Sequence, residues 1–255
     1  MNKRAGSLHR PLRVLEKIPE NAKTLSLVLD GSLECMPGQF AMLWLPGSDE
    51  KPFSIAGSDP LMFTISRVGP FSEALHGLRA GDVLWVRGPF GTGFTLESGS
   101  SLLVGGGYGA APLAFLASAL AGADPTTKVE AALGARTASD LIFLKRFQSL
   151  CVPVHAVTED GSEGTAGLVT DTARALLASG KFSRVRACGP EGMLHALAGV
   201  CTRAGVAAEL SHEAYMRCGV GLCGACEHEG RLVCMEGPVF TVTEAHHGSS
   251  PLLRS

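Results

Sequence analysis

The segment RCGVGLCGACEHEGRLVC places four cysteines at Cys218, Cys223, Cys226 and Cys234, a spacing of C-x4-C-x2-C-x7-C. Three of these thiols share a nine-residue loop, so the chain there must turn tightly without side-chain clashes. Gly219, Gly221 and Gly224 stand between the cysteines, where positive φ and close backbone approach cost least. Plant-type 2Fe–2S sites use C-x4-C-x2-C followed by a more distant fourth cysteine. The spacing therefore assigns Cys218, Cys223, Cys226 and Cys234 as cluster ligands. Backbone N–H groups of such a loop can point at the sulfurs and tune the potential. A structural zinc site with four cysteines is the alternative, and it usually shows two short Cys knuckles well separated in sequence. A 2Fe–2S cluster carries one electron at a time, so the spacing points to a chain that moves electrons.

Composition bounds the rest. A chain of 255 residues suggests about two domains with real cores. Hydrophobic residues make up 45% and charged residues 18%, which fits an ordered, well-buried protein. The net charge of −2 leaves no footprint for nucleic acid. Cys35, Cys151, Cys188 and Cys201 are scattered in apolar contexts, where a reduced buried thiol is the default. The opening MNKRAGSLHRPLRVLEK has no apolar signal core. The apolar run from Ser101 to Leu120 approaches membrane length, but Gly105, Gly106, Gly107, Gly109 and Pro112 interrupt it. It reads as a strand, a glycine turn and a helix. The expectation is a cytoplasmic protein with neither membrane nor nucleic-acid partners.

Three segments follow along the chain. Residues 1–98 are strand-rich: LRVLEKI, TLSLVLD, QFAMLWLP, LMFTISRV and DVLWVRG are short β-type runs between Gly, Pro, Asp and Ser breakers. Five or six strands at this spacing suggest a small antiparallel β-barrel. Residues 99–210 alternate strands (SLLVGGG, KVEAALGAR, VPVHAVTED, SRVRACG) with helical stretches (AAPLAFLASALAG, SDLIFLKRFQSL, GLVTDTARALLAS). That alternation predicts a doubly wound parallel α/β sheet. Residues 211–255 hold the cysteine module and a tail, EAHHGSSPLLRS, in which His246 and His247 read as solvent-exposed rather than as metal ligands. The fold class expected is α+β with several domains.

Other motifs carry chemistry of lower specificity. Gly105-Gly106-Gly107-Tyr108-Gly109 follows the first strand of the α/β half, where a backbone can approach a phosphate near a helix N-terminus. A tight packing turn is the alternative. Cys188-Gly189-Pro190 ends the last strand of that half, a place where a nicotinamide can lie; taken alone, Cys188 is more often a core thiol. In the barrel half, Lys51-Pro52-Phe53-Ser54 follows an apolar strand, with Lys51 suited to a phosphate and Ser54 to a flavin ring. Ser66-Arg67-Val68-Gly69 pairs a cation with a turn, and Ser72 suits the cap of a short helix, EALHGL. Gly88-Pro89-Phe90-Gly91-Thr92-Gly93-Phe94 reads equally as a functional turn or a domain-joining one. No side chain stands out as a catalytic acid, base or nucleophile.

The order KPFSI, GPFGTGF, LLVGGGYGAAPL, ACGPEGM and CGVGLCGAC…VCMEGPVF resembles the ferredoxin–NADP reductase superfamily carrying a C-terminal 2Fe–2S module. Within it, the chain is most similar to the electron-transfer subunits of type B dihydroorotate dehydrogenases, over roughly residues 8–242. The resemblance implies an FAD-binding barrel over 1–98, an NAD-binding α/β domain over 99–210 and a cluster domain over 211–255. It implies FAD contacts at Lys51, Pro52, Phe53, Ser54, Ser66, Arg67, Val68, Gly69 and Ser72. It implies NAD contacts at Gly105, Gly106, Gly107, Gly109, Cys188, Gly189 and Pro190. An FMN-containing catalytic subunit would oxidise dihydroorotate, in a heterotetramer of two copies of each, and electrons would reach NAD+ through the cluster and FAD. Three departures stand out. The family's usual Arg-Pro-x-Ser is Lys51-Pro52-Phe53-Ser54 here, which keeps the charge and loses the bidentate fork. CGPEPM appears as Cys188-Gly189-Pro190-Glu191-Gly192-Met193. The x7 gap before Cys234 is shared with flavin subunits of hydrogenases and sulfite reductases, which leaves those and transhydrogenases as alternative partners. A zinc-stapled nucleotide-binding regulatory module is the alternative outside redox chemistry.

Overall fold

The computed structural model describes residues 8–242 and the backbone of Leu253–Arg254; His246 and His247 lie outside the described residues. Six strands, β1 (Arg10–Pro19), β2 (Thr24–Leu29), β3 (Phe40–Trp44), β4 (Glu50–Ser58), β5 (Leu61–Ser66) and β6 (Val83–Phe90), close an antiparallel barrel in the order β1-β2-β5-β4-β3-β6. Helix α1 (Pro70–Gly77) joins β5 to β6. Leu27, Leu29, Met42, Leu43, Ile55, Phe63 and Ile65 are fully buried in the barrel unit. Each such side chain contributes about 1.5–3 kcal/mol by leaving water. Buried Ser26 is satisfied by Glu20 (2.7 Å) and Thr64 (2.8 Å).

Strand β4 was not among the five runs read as strands, and it carries a proline, Pro52, in its first half. Its first half, Glu50 to Ser54, pairs only with β3, and pairing with β5 begins at Ile55. The missing N–H of Pro52 thus falls where no second strand needs it.

The second sheet is built from β7 (Ser100–Gly106), α2 (Ala110–Ala123), β8 (Lys128–Ala135), α3 (Leu144–Ser149), β9 (Val154–Thr158), β10 (Thr165–Ala166), α4 (Val169–Leu177), β11 (Arg184–Cys188), α5 (Glu191–Ala204) and β12 (Ala207–Ser211). These strands are parallel, in the order β10-β9-β8-β7-β11-β12. Helices α4 and α5 pack together over one core that includes Leu102, Val104, Ala132, Val185, Ala187 and Leu197. Helix α2 packs on β7 and β11 and also meets α3. The stretch 139–150 was expected to be one helix, but only Leu144–Ser149 is α-helical. Phe143 adopts a φ of 67°, and both its ring and the side chain of its neighbour Ile142 are buried, at the cost of helical continuity.

The cysteine segment adds β13 (Glu227–His228), β14 (Arg231–Leu232) and the short helix α6 (Val233–Glu236). Strand β15 (Val239–Val242) then pairs antiparallel with β12, and β16 (Leu253–Arg254) with β15. Contacts group the chain into two compact units. One is the barrel, through Gly93, with Ala214–Pro238; the other is Phe94–Glu213 with the strands that start at Val239. The expected division into 1–98, 99–210 and 211–255 is by cofactor; the contacts fold the cysteine segment with the barrel. Among the described residues no helix is long and apolar enough to cross a membrane.

Candidate functional site

The cysteine loop is organised by its own amides. Val220 and Leu222 N–H groups donate to Cys218 Sγ (3.5 and 3.3 Å), Gly221 N–H to Cys234 Sγ (3.3 Å), and Cys234 N–H to Cys226 Sγ (3.4 Å). All four thiols are free, with Cys218 beside Cys223 and Cys234 beside Cys226. Among the described residues, no three His, Cys, Asp or Glu side chains converge as a site for a single metal ion. Four thiolates serve the two irons of a 2Fe–2S cluster, and a loop that turns its amides towards their sulfurs suits that group. The donor set therefore fits a 2Fe–2S cluster. Burial opposes ionisation of Cys218, but the amides of Val220, Cys223 and Leu222 and the Cys223 thiol outweigh it and bring this thiol down to about 6. Burial, with Cys226 alongside, pushes Cys234 up to about 12.

The loop seats on the barrel. Gly219 has a φ of 69°, and a Cβ there would stand 3.2 Å from the Met42 side chain of β3, so glycine meets both the turn and the approach. From β6, Arg87 reaches the carbonyl oxygen of Cys218 at 2.8 Å while gripping Glu50. Neither Arg87 nor Glu50 was anticipated from sequence.

The candidate flavin residues occupy neighbouring elements. Lys51, Pro52, Phe53 and Ser54 lie on β4, and Phe53 packs on Phe71 of α1 with ring centroids 6.2 Å apart. The Lys51 ammonium pairs with Asp49 (2.7 Å) and lies 5.6 Å from the centre of the Tyr215 ring. Ser66 ends β5 and accepts a hydrogen bond from Thr24 (3.3 Å). Arg67 is half-exposed beside Glu73, and Val68 is exposed. Gly69 directly precedes α1, which begins at Pro70, earlier than the expected EALHGL. Ser72 is therefore inside the helix, not in front of it, and its hydroxyl accepts from the amides of Val68 (2.9 Å) and Gly69 (3.0 Å).

The two glycine-bearing strand ends of the α/β unit lie side by side. Strands β7 and β11 are parallel neighbours with Gly105 in register with Cys188, and the sheet order reverses between them. Such a switch point, at the carboxyl ends of the strands, is where open α/β sheets bind ligands. Gly105 and Gly106 end β7, and Gly107–Gly109 forms a 3₁₀ turn into α2. A Cβ on Gly109 would stand 2.2 Å from the Cys188 carbonyl oxygen, so only glycine lets this turn close on Cys188-Gly189. The side chain at Pro190 packs next to Gly106. Cys188 is buried; burial, then the nearby Glu213 charge, push its thiol up to about 12, against a hydrogen bond with Ser211. Tyr108 Oη donates to Glu213 Oε2 at 3.1 Å. Glu213 is exposed at the surface, but partial desolvation still raises its carboxyl, partly opposed by that bond. Tyr108 lay inside the recognised turn; nothing in the string SHEAYMRC marked Glu213.

Comparison with known proteins agrees with this fold. Residues 213–245 match the family described as the iron-sulfur cluster binding domain of dihydroorotate dehydrogenase B. Residues 103–198 match the oxidoreductase NAD-binding domain. The solved structure of an NADH-dependent reduced ferredoxin-NADP oxidoreductase aligns with a TM-score of 0.82 and 29% identity, over 90% of this chain and 87% of that one. The FAD/NAD binding domain of nitric oxide dioxygenase from Vibrio cholerae shares the fold, with a TM-score of 0.65 over 77% of this chain and 94% of that one. Fold and site thus define an NAD-linked oxidoreductase of ferredoxin-reductase type with an iron–sulfur cluster domain. Two curated relatives are each named a probable dihydroorotate dehydrogenase B (NAD(+)), electron transfer subunit. That of Methanocaldococcus jannaschii is 40% identical, over 89% of this chain and 88% of its own. That of Methanothermobacter thermautotrophicus is 41% identical, over 89% and 86%. The chain belongs to this family of dihydroorotate dehydrogenase B electron transfer subunits.

Proposed function

We propose that this chain carries electrons from an FMN-bearing, dihydroorotate-oxidising subunit to NAD+, as part of pyrimidine synthesis. The observation that carries the reading is the loop of Cys218, Cys223, Cys226 and Cys234, seated on the barrel with its amides turned to sulfur. Cofactors of the fold and family are FAD, a 2Fe–2S cluster and NAD. When bound, the cluster handles single electrons, the flavin exchanges them singly or in pairs, and NAD+ takes a pair as hydride.

The chain's own residues hold and orient. Cys218, Cys223, Cys226 and Cys234 are the proposed ligands, with the amides of Val220, Gly221 and Leu222 aimed at sulfur. Lys51, Pro52, Phe53 and Ser54 on β4, with Ser66, Arg67, Val68, Gly69 and Ser72 around the start of α1, are the proposed FAD contacts within 1–98. Gly105, Gly106, Gly107, Gly109, Cys188, Gly189 and Pro190 are the proposed NAD contacts within 99–210. Cys188 stays protonated at neutral pH, so it offers the nicotinamide a contact surface and not a thiolate. Residues 211–255 form the cluster domain in this division. The proposed assembly is a cytoplasmic heterotetramer of two chains of each kind, and the oxidation of dihydroorotate belongs to the partner.

The test is anoxic affinity isolation of the chain with its natural partner, followed by assay of NAD+ reduction by dihydroorotate. An FMN-bearing partner and dihydroorotate-dependent turnover are expected. A hydrogenase, sulfite reductase or transhydrogenase in the eluate, without that turnover, overturns the partner assignment. In the same complex, Cys223→Ser should abolish partner-linked turnover while dye reduction by NADH survives. Unchanged partner-linked turnover overturns the ligand assignment.

A further inference from the structure

We propose that Arg87, held by Glu50, is a positioning residue that sets the reduction potential of the cluster and ties it to the strand bearing Lys51–Ser54. This rests on Cys218 being a cluster ligand. Arg87 leaves β6 with only 9% of its side chain exposed. A guanidinium removed from water must spend its donors on protein acceptors. Nε donates to Glu50 Oε1 (2.6 Å) and Nη2 to Glu50 Oε2 (2.8 Å), the bidentate geometry in which arginine binds carboxylate best. Nη2 also donates to the carbonyl oxygen of Cys218 at 2.8 Å. The ring of Phe90 lies 5.2 Å from the guanidinium carbon.

The carboxylate is fixed in turn. His9 Nε2 bonds Glu50 Oε1 at 2.7 Å. Glu50 is the first residue of β4, and Lys51, the first residue of the flavin motif, follows it. Lys51 lies over Tyr215, just ahead of Cys218 in the chain. Two consecutive residues of β4 thus engage the cysteine segment, one through Arg87 and one directly. The third bond holds a cation at the peptide of a proposed ligand, in surroundings that screen charge weakly.

Reducing a 2Fe–2S cluster adds one negative charge, and net charge and hydrogen bonding nearby set its potential. A cation beside Cys218 favours the reduced form and the Glu50 carboxylate opposes it. Removing either one must therefore shift the potential in opposite directions, a signature that loosened structure does not produce.

The test is an anoxic redox titration of the full-length holoprotein, followed by electron paramagnetic resonance of the reduced cluster. Arg87→Gln is expected to lower the midpoint potential and Glu50→Gln to raise it. Arg87→Gln/Glu50→Gln should return towards the parent value. Arg87→Lys, which keeps the charge but not the fork, should lie nearer the parent than Arg87→Gln does. Unchanged midpoints in both single variants, or shifts in the same direction, overturn the proposal. If Arg87→Gln does not retain its cluster, Glu50→Gln decides: a rise supports the proposal, and no shift or a fall overturns it. Failure of the underlying ligand assignment is separately visible, as a cluster signal that survives Cys223→Ser.

Discussion

Each unit of the molecule holds an arginine–glutamate pair, and the two pairs are wired differently. In the α/β unit, Arg186 on β11 stands in register with Glu209 on β12, with side-chain exposures of 0% and 2%. Its guanidinium donates to Glu209 (2.9 Å), to Ser101 on β7 and to the Thr95 carbonyl (2.9 Å). Glu209 accepts in addition from the Thr95 amide (3.0 Å) and hydroxyl (3.1 Å). That network closes on itself and pins the segment ahead of β7 to the sheet. In the barrel unit, Arg87 and Glu50 are 9% and 21% exposed, and one donor goes to Cys218. The same residue types hold a fold together in one place and hold a charge beside Cys218, a proposed cluster ligand, in the other. What separates the roles is where the last donor goes.

Breaking the closed network should have the largest effect on stability. Arg186→Leu leaves Glu209 buried without its cation, at a cost of about 3–5 kcal/mol. Urea unfolding measures this, and the cluster potential should not move. Replacing both partners with leucine should recover much of the loss, because the uncompensated charge is then gone. A single variant within 1 kcal/mol of the parent would mean that water or a neighbour supports Glu209 in place of Arg186.

Arg87→Gln comes next. It should cost about 1–3 kcal/mol, because Glu50 keeps His9 and some solvent when the guanidinium leaves. Its main consequence should be the potential shift. A stability loss as large as that of Arg186→Leu, with no change in potential, would make the two pairs alike and erase the contrast.

What sequence revealed of this contrast follows the range of the interactions involved. The cysteine spacing, the glycine turn after β7 and the strand–helix alternation are local patterns, and each is where the sequence placed it. Arg87 and Cys218 are 131 positions apart, and an arginine in VRGPF looks like any solvated strand residue until the barrel closes. Strand β4 was not read as a strand, and it carries Pro52, whose tolerance depends on which neighbours pair beside it. The shortened α3 depended on Phe143, whose left-handed backbone is set by burial of its ring. The lysine in place of arginine at position 51 was legible as a change in chemistry. Its pairing with Asp49 and Tyr215 was not, because Tyr215 arrives from the far end of the chain.

The smallest effect belongs to Glu213, a carboxylate bonded to a hydroxyl where Glu50 is bonded to a cation. The cation partners win at Glu50: burial raises its carboxyl, but Arg87 and His9 hold it below the ordinary value. Glu213 is exposed, yet partial desolvation wins over the Tyr108 bond, and the carboxyl is raised. Linkage gives the two opposite signs. A raised carboxyl means that the folded state holds its proton more tightly than the unfolded chain. Stability from Glu213 is therefore intact below the ordinary carboxyl value and is lost as pH rises through the folded one. For Glu50 stability is intact above the ordinary value and is lost as pH falls. Glu213→Gln carries no proton to lose and can still accept from Tyr108. It should match the parent at about pH 4 and exceed it only slightly at about pH 8, because the side chain is exposed and solvent screens its charge. Glu50→Gln should do the reverse, falling behind the parent most at the higher pH. Thermal unfolding of both variants at the two pH values reads the difference directly. An offset for Glu213→Gln that does not change with pH would show that desolvation is not what governs this carboxyl, and the contrast with Glu50 would reduce to hydrogen-bond number alone.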